Sequence, residues 1–205
     1  MESPTSDAHG SDMKPHVYKP LGKDDRIRLV KLLPGTEHDT IAIELSEHEF
    51  YEFNHPSYEA LSYVWGSQDD SQSIVVDESS TITVTKNLLI ALRHLRSEER
   101  PRVLWIDALA MNQADAQEKS SQIDVMARIF WSASRVIAWL GPESGNSCKA
   151  MGVLADIGSQ VAPDWEQEKL IPMPGCRVPN LANPAEELVM TKEIVVALAQ
   201  LISRP

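Results

Sequence analysis

The stretch VLWIDALAMNQ, residues Val103–Gln113, holds the features that decide the fold. It opens with the apolar run Val103–Ile106, which predicts a buried strand, and Asp107 follows where that strand would end. Two amides, Asn112 and Gln113, close the stretch ahead of a predicted helix. Ligands of open α/β sheets bind beyond the carboxyl ends of the strands, so these three polar side chains are the best candidate site. The same residues also suit a turn cap and backbone hydrogen bonds in a loop, and their spacing leaves both interpretations open.

Elements on both sides of this stretch predict an α/β fold. Upstream, Glu59–Gly66 predicts a second core strand, and a helix from about Lys86 to Arg96 carries apolar residues at helical spacing. Downstream, a helix runs from Asp115 to about Trp131, and Ser134–Gly141 predicts a third core strand. Helices alternating with strands predict βαβ units, and hence a mostly parallel sheet flanked by helices in three layers.

Two accessory antiparallel hairpins are predicted before the first helix. Arg26–Leu33 alternates basic and apolar residues, which predicts an edge strand with one face in water, and Thr40–Leu45 is its predicted partner. Ser73–Asp77 and Thr81–Val84 predict the second hairpin. We expect the basic residues of the first hairpin to be solvated edge charges and not a binding patch.

The chain is expected to divide into four segments. Residues 1–24 are polar and contain three prolines, which predicts a disordered N-terminal tail. Residues 25–160 are the expected domain core. Residues 161–183 are crowded with prolines and predict an exposed loop without regular structure, and residues 184–205 predict a C-terminal helix.

Composition excludes several classes of protein. The chain has 205 residues, of which 42% are hydrophobic and 24% charged, and this is enough for one globular domain with a sizeable core. The net charge of −11 disfavours nucleic acids and anionic membranes as partners, since both require clustered Lys and Arg. No apolar run has the length of a membrane-spanning helix. Two cysteines without metal-type spacing, and no signal peptide, predict a reducing, cytoplasmic setting.

The helix after Gln113 begins with a predicted cap. Asp115 and Glu118 have the spacing of a capping box, in which each side chain accepts a backbone N–H of the first turn. This gives Glu118 a structural role, so we expect Gln in its place to leave stability unchanged. The expected buried face of the helix consists of Ile123, Met126, Ala127 and Phe130.

Motifs of the common enzyme classes are absent from the sequence. It contains no glycine-rich dinucleotide fingerprint, phosphate loop, G-x-S-x-G elbow or H-E-x-x-H pair. His48 and His55 are expected to be surface residues and not metal ligands. No residue is therefore marked as catalytic, and neither a metal nor a cofactor is expected.

Three segments together resemble the fungal heterokaryon incompatibility (HET) domain. They are YEALSYVWG (Tyr58–Gly66), NLLIALRHLR (Asn87–Arg96) and the stretch from Leu104 to Gly141, and their order and spacing match the family. The resemblance covers roughly residues 26–142 and implies a role in nonself recognition and regulated cell death, with a fold related to the TIR domain. The candidate pocket residues that it implies are Tyr63, Trp65, Gly66, Asp107, Asn112 and Gln113. Glu118 and Gln122 also match the family, and together with the predicted N-cap Asp115 they are candidate helix-cap or pocket residues.

The chain departs from the family pattern in two places. Ala110-Met111 stand where the family usually has Cys-Ile, which removes a thiol but nearly conserves volume. The family continues after its last helix into a Trp-Phe motif and a Gln-Glu pair, whereas this chain ends at Leu201–Pro205 as that motif would begin. We therefore expect a chain truncated at its C-terminus.

Two functions follow from the resemblance. The first is an interaction and signalling module that self-associates or binds protein partners and has no cofactor. The second is a TIR-like enzyme that cleaves NAD, with its catalytic acid in the C-terminal segment expected to be missing. We favour the first for this chain, because none of its residues is marked as catalytic.

Overall fold

A computed structural model describes residues 13–22, 25–51, 55–164, 166–176 and 192–202. The chain divides into two units, Met1–Gly141 and Pro142–Pro205, and each is described by itself.

The described residues of the first unit form eight strands and three helices. The strands are β1 (Lys14–Pro15), β2 (Arg26–Leu32), β3 (Ala42–Glu49), β4 (Glu59–Tyr63), β5 (Gln72–Val76), β6 (Ser80–Val84), β7 (Arg102–Trp105) and β8 (Arg135–Trp139). The helices are α1 (Lys86–Leu95), α2 (Asp107–Ala110) and α3 (Ala116–Ser132).

The strands form one mixed sheet in the order β1-β6-β5-β3-β2-β7-β4-β8. The pairings β1–β6, β3–β5, β4–β7 and β4–β8 are parallel, and β2–β3, β2–β7 and β5–β6 are antiparallel. The predicted α/β class and both accessory hairpins are confirmed. The antiparallel hairpins belong to the same sheet as the βαβ part, which makes the sheet mixed.

Two hydrophobic clusters lie on opposite faces of this sheet. Val30 and Leu104 belong to the cluster that contains the buried leucines of α1. Their chain neighbours Leu29 and Trp105 belong to the other cluster, together with Ile129 of α3. Successive side chains of a strand point to opposite faces, so α1 and α3 cover the two faces. The result is a helix, sheet and helix arrangement around the β7 stretch.

The prediction that residues 26–33 form an edge strand is wrong. β2 lies between β3 and β7, and Arg28 is only 2% exposed. Lys31 does lie at the surface, where it pairs with Glu44. Alternating basic and apolar residues suggested a wet face, but a strand between two layers of helix buries both faces. A buried cation then requires a partner from elsewhere in the chain.

The buried face of α3 is also shifted from the predicted one. Ile123 is 48% exposed and Ala127 is exposed, whereas Glu118, Gln122 and Ile129 are buried. The helix therefore turns two polar side chains, Glu118 and Gln122, inward.

The segment before β2 was predicted to be a disordered tail. Residues 13–22 instead form β1 and a connection in which the Leu21 side chain is 6% exposed. His16 N donates to the carbonyl of Thr81 at 2.8 Å and extends the short β1 pairing. The remainder of the predicted tail, residues 1–12 and 23–24, lies outside the described residues.

The second unit contains α4 (Ser147–Gly158), β9 (Val161–Asp164), β10 (Lys169–Pro172) and α5 (Lys192–Ile202). Ala150 of α4 packs with Ala197 and Leu201 of α5. The predicted C-terminal helix thus contains α5, and its predicted first turns, residues 184–191, lie outside the described residues.

The proline-rich segment contains regular structure, contrary to the prediction. β9 and β10 pair as a two-stranded antiparallel ribbon, with Pro163 and Pro172 inside the strands. Every residue of a two-stranded ribbon lies at an edge, so a missing N–H need not break a pairing. Residues 177–191 lie outside the described residues.

Candidate functional site

The carboxyl ends of β4 and β7 place an indole against a carboxylate. The two strands are parallel neighbours, so the residues that follow them meet at one edge of the sheet. Trp65 Nε1 donates to Asp107 Oδ2 at 2.8 Å, and the backbone N–H of Ala108 donates to Asp107 Oδ1 at 2.7 Å. Both oxygens of this carboxylate are therefore occupied by donors from the protein.

Tyr63 belongs to the same cluster. Burial, followed by the nearby Asp107 charge and a hydrogen-bonding interaction with it, raises the pKa of Tyr63 well above its ordinary value. The phenol thus stays protonated near neutral pH beside the Asp107 carboxylate.

Gln113 completes the cluster from the far side of α2. Its Nε2 donates to the backbone carbonyl of Asp107 at 3.0 Å, which fixes the orientation of the amide, because the flipped amide would bring two acceptors together. Its Oε1 is buried without a hydrogen-bond partner among the described residues. These side chains lie beside a cleft of about 280 Å³ whose lining residues are Tyr63, Trp65, Gln68, Ser71, Thr83, Val84, Thr85, Leu88, Ala108 and Gln113.

Gly66 and Asn87 hold the chain that leaves β4. Gly66 has φ +76°, a conformation that side chains disfavour. Asn87 Nδ2 donates to the carbonyl of Val64 at 2.5 Å, and Asn87 Oδ1 accepts from Trp139 Nε1 at 3.0 Å. Asn87 thus links α1 to the ends of β4 and β8. This role of Asn87 was not predicted from the sequence, although Asn87 opens one of the segments on which the resemblance rests.

Asn112 does not join this cluster. Its Oδ1 accepts the backbone N–H of Ala114 at 3.1 Å, and its own N–H donates to Glu118 Oε1 at 2.7 Å. It therefore shapes the turn into α3 and does not line the cleft. The candidate residues divide into a cleft cluster around Asp107 and a second group around Glu118.

Glu118 is the centre of the second group, and its partner is Arg28. Arg28 Nη1 donates to Glu118 Oε1 at 2.5 Å, and Nη2 donates to Oε2 at 3.0 Å. The two side chains are 3% and 7% exposed. Arg28 Nη1 also donates to the Ala110 carbonyl at 3.1 Å, and Nη2 donates to the carbonyl of Lys19. One guanidinium thus joins β2, the segment after β1, α2 and α3.

The predicted capping box is half right. Asp115 accepts from the backbone N–H groups of Gln117 and Glu118, as an N-cap does. The Glu118 carboxylate accepts from Arg28 and Asn112 instead. Burial raises the pKa of Glu118, but these hydrogen bonds outweigh it and leave the pKa below its ordinary value.

Gln122 lies one turn after Glu118 on the same buried face. Its Nε2 donates to the carbonyl of Arg26 at 2.9 Å. Gln122 and Glu118 therefore both attach α3 to β2, which explains why polar residues occupy the buried side of the helix.

The described residues form neither a metal site nor a membrane-spanning helix. No group of three or more His, Cys, Asp or Glu side chains among them could hold a metal ion. None of the helices that the structure describes has both the length and the apolar character needed to cross a membrane.

Comparisons with known proteins identify relatives by sequence. The model of a family described as heterokaryon incompatibility protein (HET) matches residues 58–190. Over 117 residues the chain is 38% identical to heterokaryon incompatibility protein 6, OR allele, of Neurospora crassa. The match covers 51% of this chain and 17% of that protein, so the chain spans less than a fifth of the length of this relative. No solved structure matches the chain.

Proposed function

The chain belongs to the heterokaryon incompatibility (HET) family, and from this premise we propose that it is an interaction and signalling module in fungal nonself recognition. It acts in the cytoplasm through self-association or by binding a protein partner, and its output is regulated cell death. The family match and the Neurospora relative support the role in incompatibility.

One observation supports a module over an enzyme: the carboxylates of Asp107 and Glu118 already accept hydrogen bonds from the protein itself. The two oxygens of Asp107 accept from Trp65 and Ala108, and those of Glu118 accept from Arg28 and Asn112. Cleavage of a glycosidic bond such as that of NAD requires a carboxylate that reaches the reacting sugar. Here both groups hold the loop between β7 and α3 in one shape. A loop held in this way suits a surface that a partner recognises.

Expression in Neurospora crassa tests this proposal. The chain is induced in growing hyphae, and growth arrest is scored while cellular NAD is measured over the same hours. We expect arrest by the wild-type chain without a preceding fall in NAD. Asp107→Asn is expected to lose the arrest, because an amide offers one acceptor oxygen where the carboxylate offers two. Asp124→Asn, at an exposed position of α3, is the matched control and should retain it.

Two results would contradict the proposal. One is arrest that follows NAD depletion. The other is undiminished arrest by a folded Asp107→Asn chain. That result would show that the loop between β7 and α3 is not needed for the arrest.

The alternative function is cleavage of NAD by a TIR-like mechanism. The cleft of about 280 Å³ favours it, because the aromatic side chains of Tyr63 and Trp65 line it together with the amide residue Gln113. NAD would be the substrate, and the catalytic acid would come from residues outside the described ones. Nicotinamide release by the purified chain incubated with NAD would support the enzyme over the module. Release that is lost in Gln113→Leu would establish the enzyme.

A further inference from the structure

The two edge strands of the sheet in the first unit differ in how well they are protected against pairing with another strand. The edge at β6 is covered by β1, which has two residues, one of them Pro15. At the other edge, β8 pairs with β4 along all five residues, and no described strand lies on its outer side. The sequence of β8, RVIAW, contains no proline, glycine or lysine. Natural sheets protect their edges with short strands, prolines or charges. The β1 edge is protected in this way, whereas β8 carries one charge, Arg135, and is open as far as the described strands are concerned.

Apolar side chains are exposed along the open edge. Val136 is 50% exposed, Ala138 is exposed and Leu140 is 46% exposed, at alternate positions and hence on one face. Trp131, which ends α3 shortly before β8, is 91% exposed. An open strand flanked by exposed apolar groups is the arrangement that β-strand addition requires.

We infer that β8 is the self-association surface of this chain, and that it pairs antiparallel with β8 of a second copy. This inference rests on the self-association that forms part of the proposed function. A two-fold axis at Ile137 places Val136 opposite Ala138 of the second copy and Arg135 opposite Trp139 of the second copy. The pairing is isologous and closes after two copies.

The charge on β8 favours the antiparallel direction. Arg135 is the single charged residue of the strand, and it shares the Glu59 carboxylate with Arg102, so its positive charge is not fully neutralised. Parallel pairing in register would place Arg135 against Arg135 of the second copy, which is unfavourable. Antiparallel pairing places the guanidinium against the indole of Trp139, a favourable cation–aromatic contact.

Interface size and net charge make the dimer weak. One pair of five-residue strands falls below the roughly 1,000 Å² that stable complexes bury. Each copy also carries a net charge of −11, so two copies repel each other at long range. Association therefore depends on concentration and strengthens when salt screens the repulsion.

Charge pairs at positions 136 and 138 test the surface and its register. In the antiparallel dimer these positions face each other, so Val136→Lys with Ala138→Lys sets like charges together and abolishes association. Val136→Glu with Ala138→Lys places Glu opposite Lys twice and restores it. Both positions are exposed, and circular dichroism and thermal melting confirm that each variant folds.

Sedimentation velocity of the full chain, at several protein concentrations and in low and high salt, measures the association. We expect a wild-type monomer–dimer equilibrium, loss of dimer in the Lys–Lys variant and recovery in the Glu–Lys variant. Hydrogen exchange provides a second measurement on the unaltered chain, in which amides of residues 135–139 become more protected as concentration rises.

Results that contradict the β8 dimer can be distinguished from results that contradict the proposed signalling function. A wild-type chain that stays monomeric at all concentrations overturns the β8 dimer, while growth arrest by that chain leaves partner binding as the proposed mechanism. A dimer that persists in the Lys–Lys variant, with no concentration-dependent protection at 135–139, overturns the surface but not self-association. Loss of arrest in the Glu–Lys variant, although its dimer is recovered, would show that the dimer does not produce the arrest and would overturn its role in it.

Discussion

Arg28 on β2 and Glu118 on α3, 90 residues apart in the chain, form a buried ion pair with two parallel hydrogen bonds. The pair also supports its surroundings, because the guanidinium donates to Ala110 and the carboxylate accepts from the backbone of Asn112. The loop between β7 and α3 is thereby attached to the adjacent strand. The most characteristic stretch of the sequence depends on an arginine that lies far upstream of it.

Glu118→Gln is therefore expected to destabilise the protein, contrary to the expectation from the capping-box spacing. Removing one partner of a buried pair leaves the other charge uncompensated, at a cost of about 3–5 kcal/mol. Urea unfolding followed by circular dichroism measures the change. Asp70→Asn is the control, because Asp70 pairs with Lys86 at the surface and its loss should cost no more than about 1 kcal/mol. Equal stability of the wild type and Glu118→Gln would contradict a stabilising ion pair and would support the helix-cap role that the sequence predicted for Glu118.

The same pair predicts how stability depends on pH. Hydrogen bonds from Arg28 and Asn112 hold the pKa of Glu118 below the ordinary value of 4.5 despite its burial. A depressed carboxylate pKa stabilises the fold above the unfolded pKa, and this contribution is lost as pH falls through the folded pKa. We expect the free energy of unfolding of the wild type to decrease as the pH is lowered from about 4.5. Glu118→Gln should lose less over this interval, and parallel curves for the two proteins would show that Glu118 does not contribute.

Local patterns predicted the parts of the fold that depend on neighbouring residues. The strand before Asp107, both hairpins and the Asp115 cap each follow from periodicity or turn chemistry within about ten residues of sequence. The meeting of Trp65 and Asp107 was also foreseeable, since both follow strands that end at one edge of the sheet.

The errors have a common physical origin in long-range contacts. Glu118 and Gln122 look like solvent-facing residues, and they are buried because β2 offers them Arg28 and the carbonyl of Arg26. A hydrophobic pattern cannot reveal this, since burial of a polar side chain depends on its partner. The ribbon of β9 and β10 was missed for a related reason, because proline disfavours a central strand but not an edge.

Replacement of glycine by alanine is expected to change stability in opposite directions at Gly66 and Gly152. Gly66 has φ +76°, so Gly66→Ala forces an unfavourable conformation at about 1–2 kcal/mol, although the added Cβ would lie 3.5 Å from Asn87 Cβ without a clash. Gly152 lies inside α4 with no heavy atom within 4 Å of an added Cβ. Gly152→Ala should therefore stabilise the protein by about 0.5–1 kcal/mol. Thermal melting of both variants measures the difference, and a shift in the same direction for both would contradict the assigned backbone at Gly66.

The hydrogen bond between Trp65 and Asp107 predicts energetic coupling. Trp65→Phe removes the indole donor and Asp107→Ala removes the acceptor, so each alone should cost about 1.5–3 kcal/mol. The double variant removes the same bond once, so its cost should be smaller than the sum by about 0.5–3 kcal/mol. Trp131→Phe supplies the control cycle, because Trp131 is 91% exposed and its combination with Asp107→Ala should be additive.

Denaturant unfolding of the four proteins in each cycle measures this coupling energy. Coupling between positions 65 and 107, and none between 131 and 107, would show that the indole and the carboxylate act as one structural unit. Additivity in both cycles would mean that Trp65 contributes only its ring to the core. Loss of growth arrest in Asp107→Asn would then point to the other neighbours of this carboxylate, the Ala108 N–H that donates to Oδ1 and the hydroxyl of Tyr63.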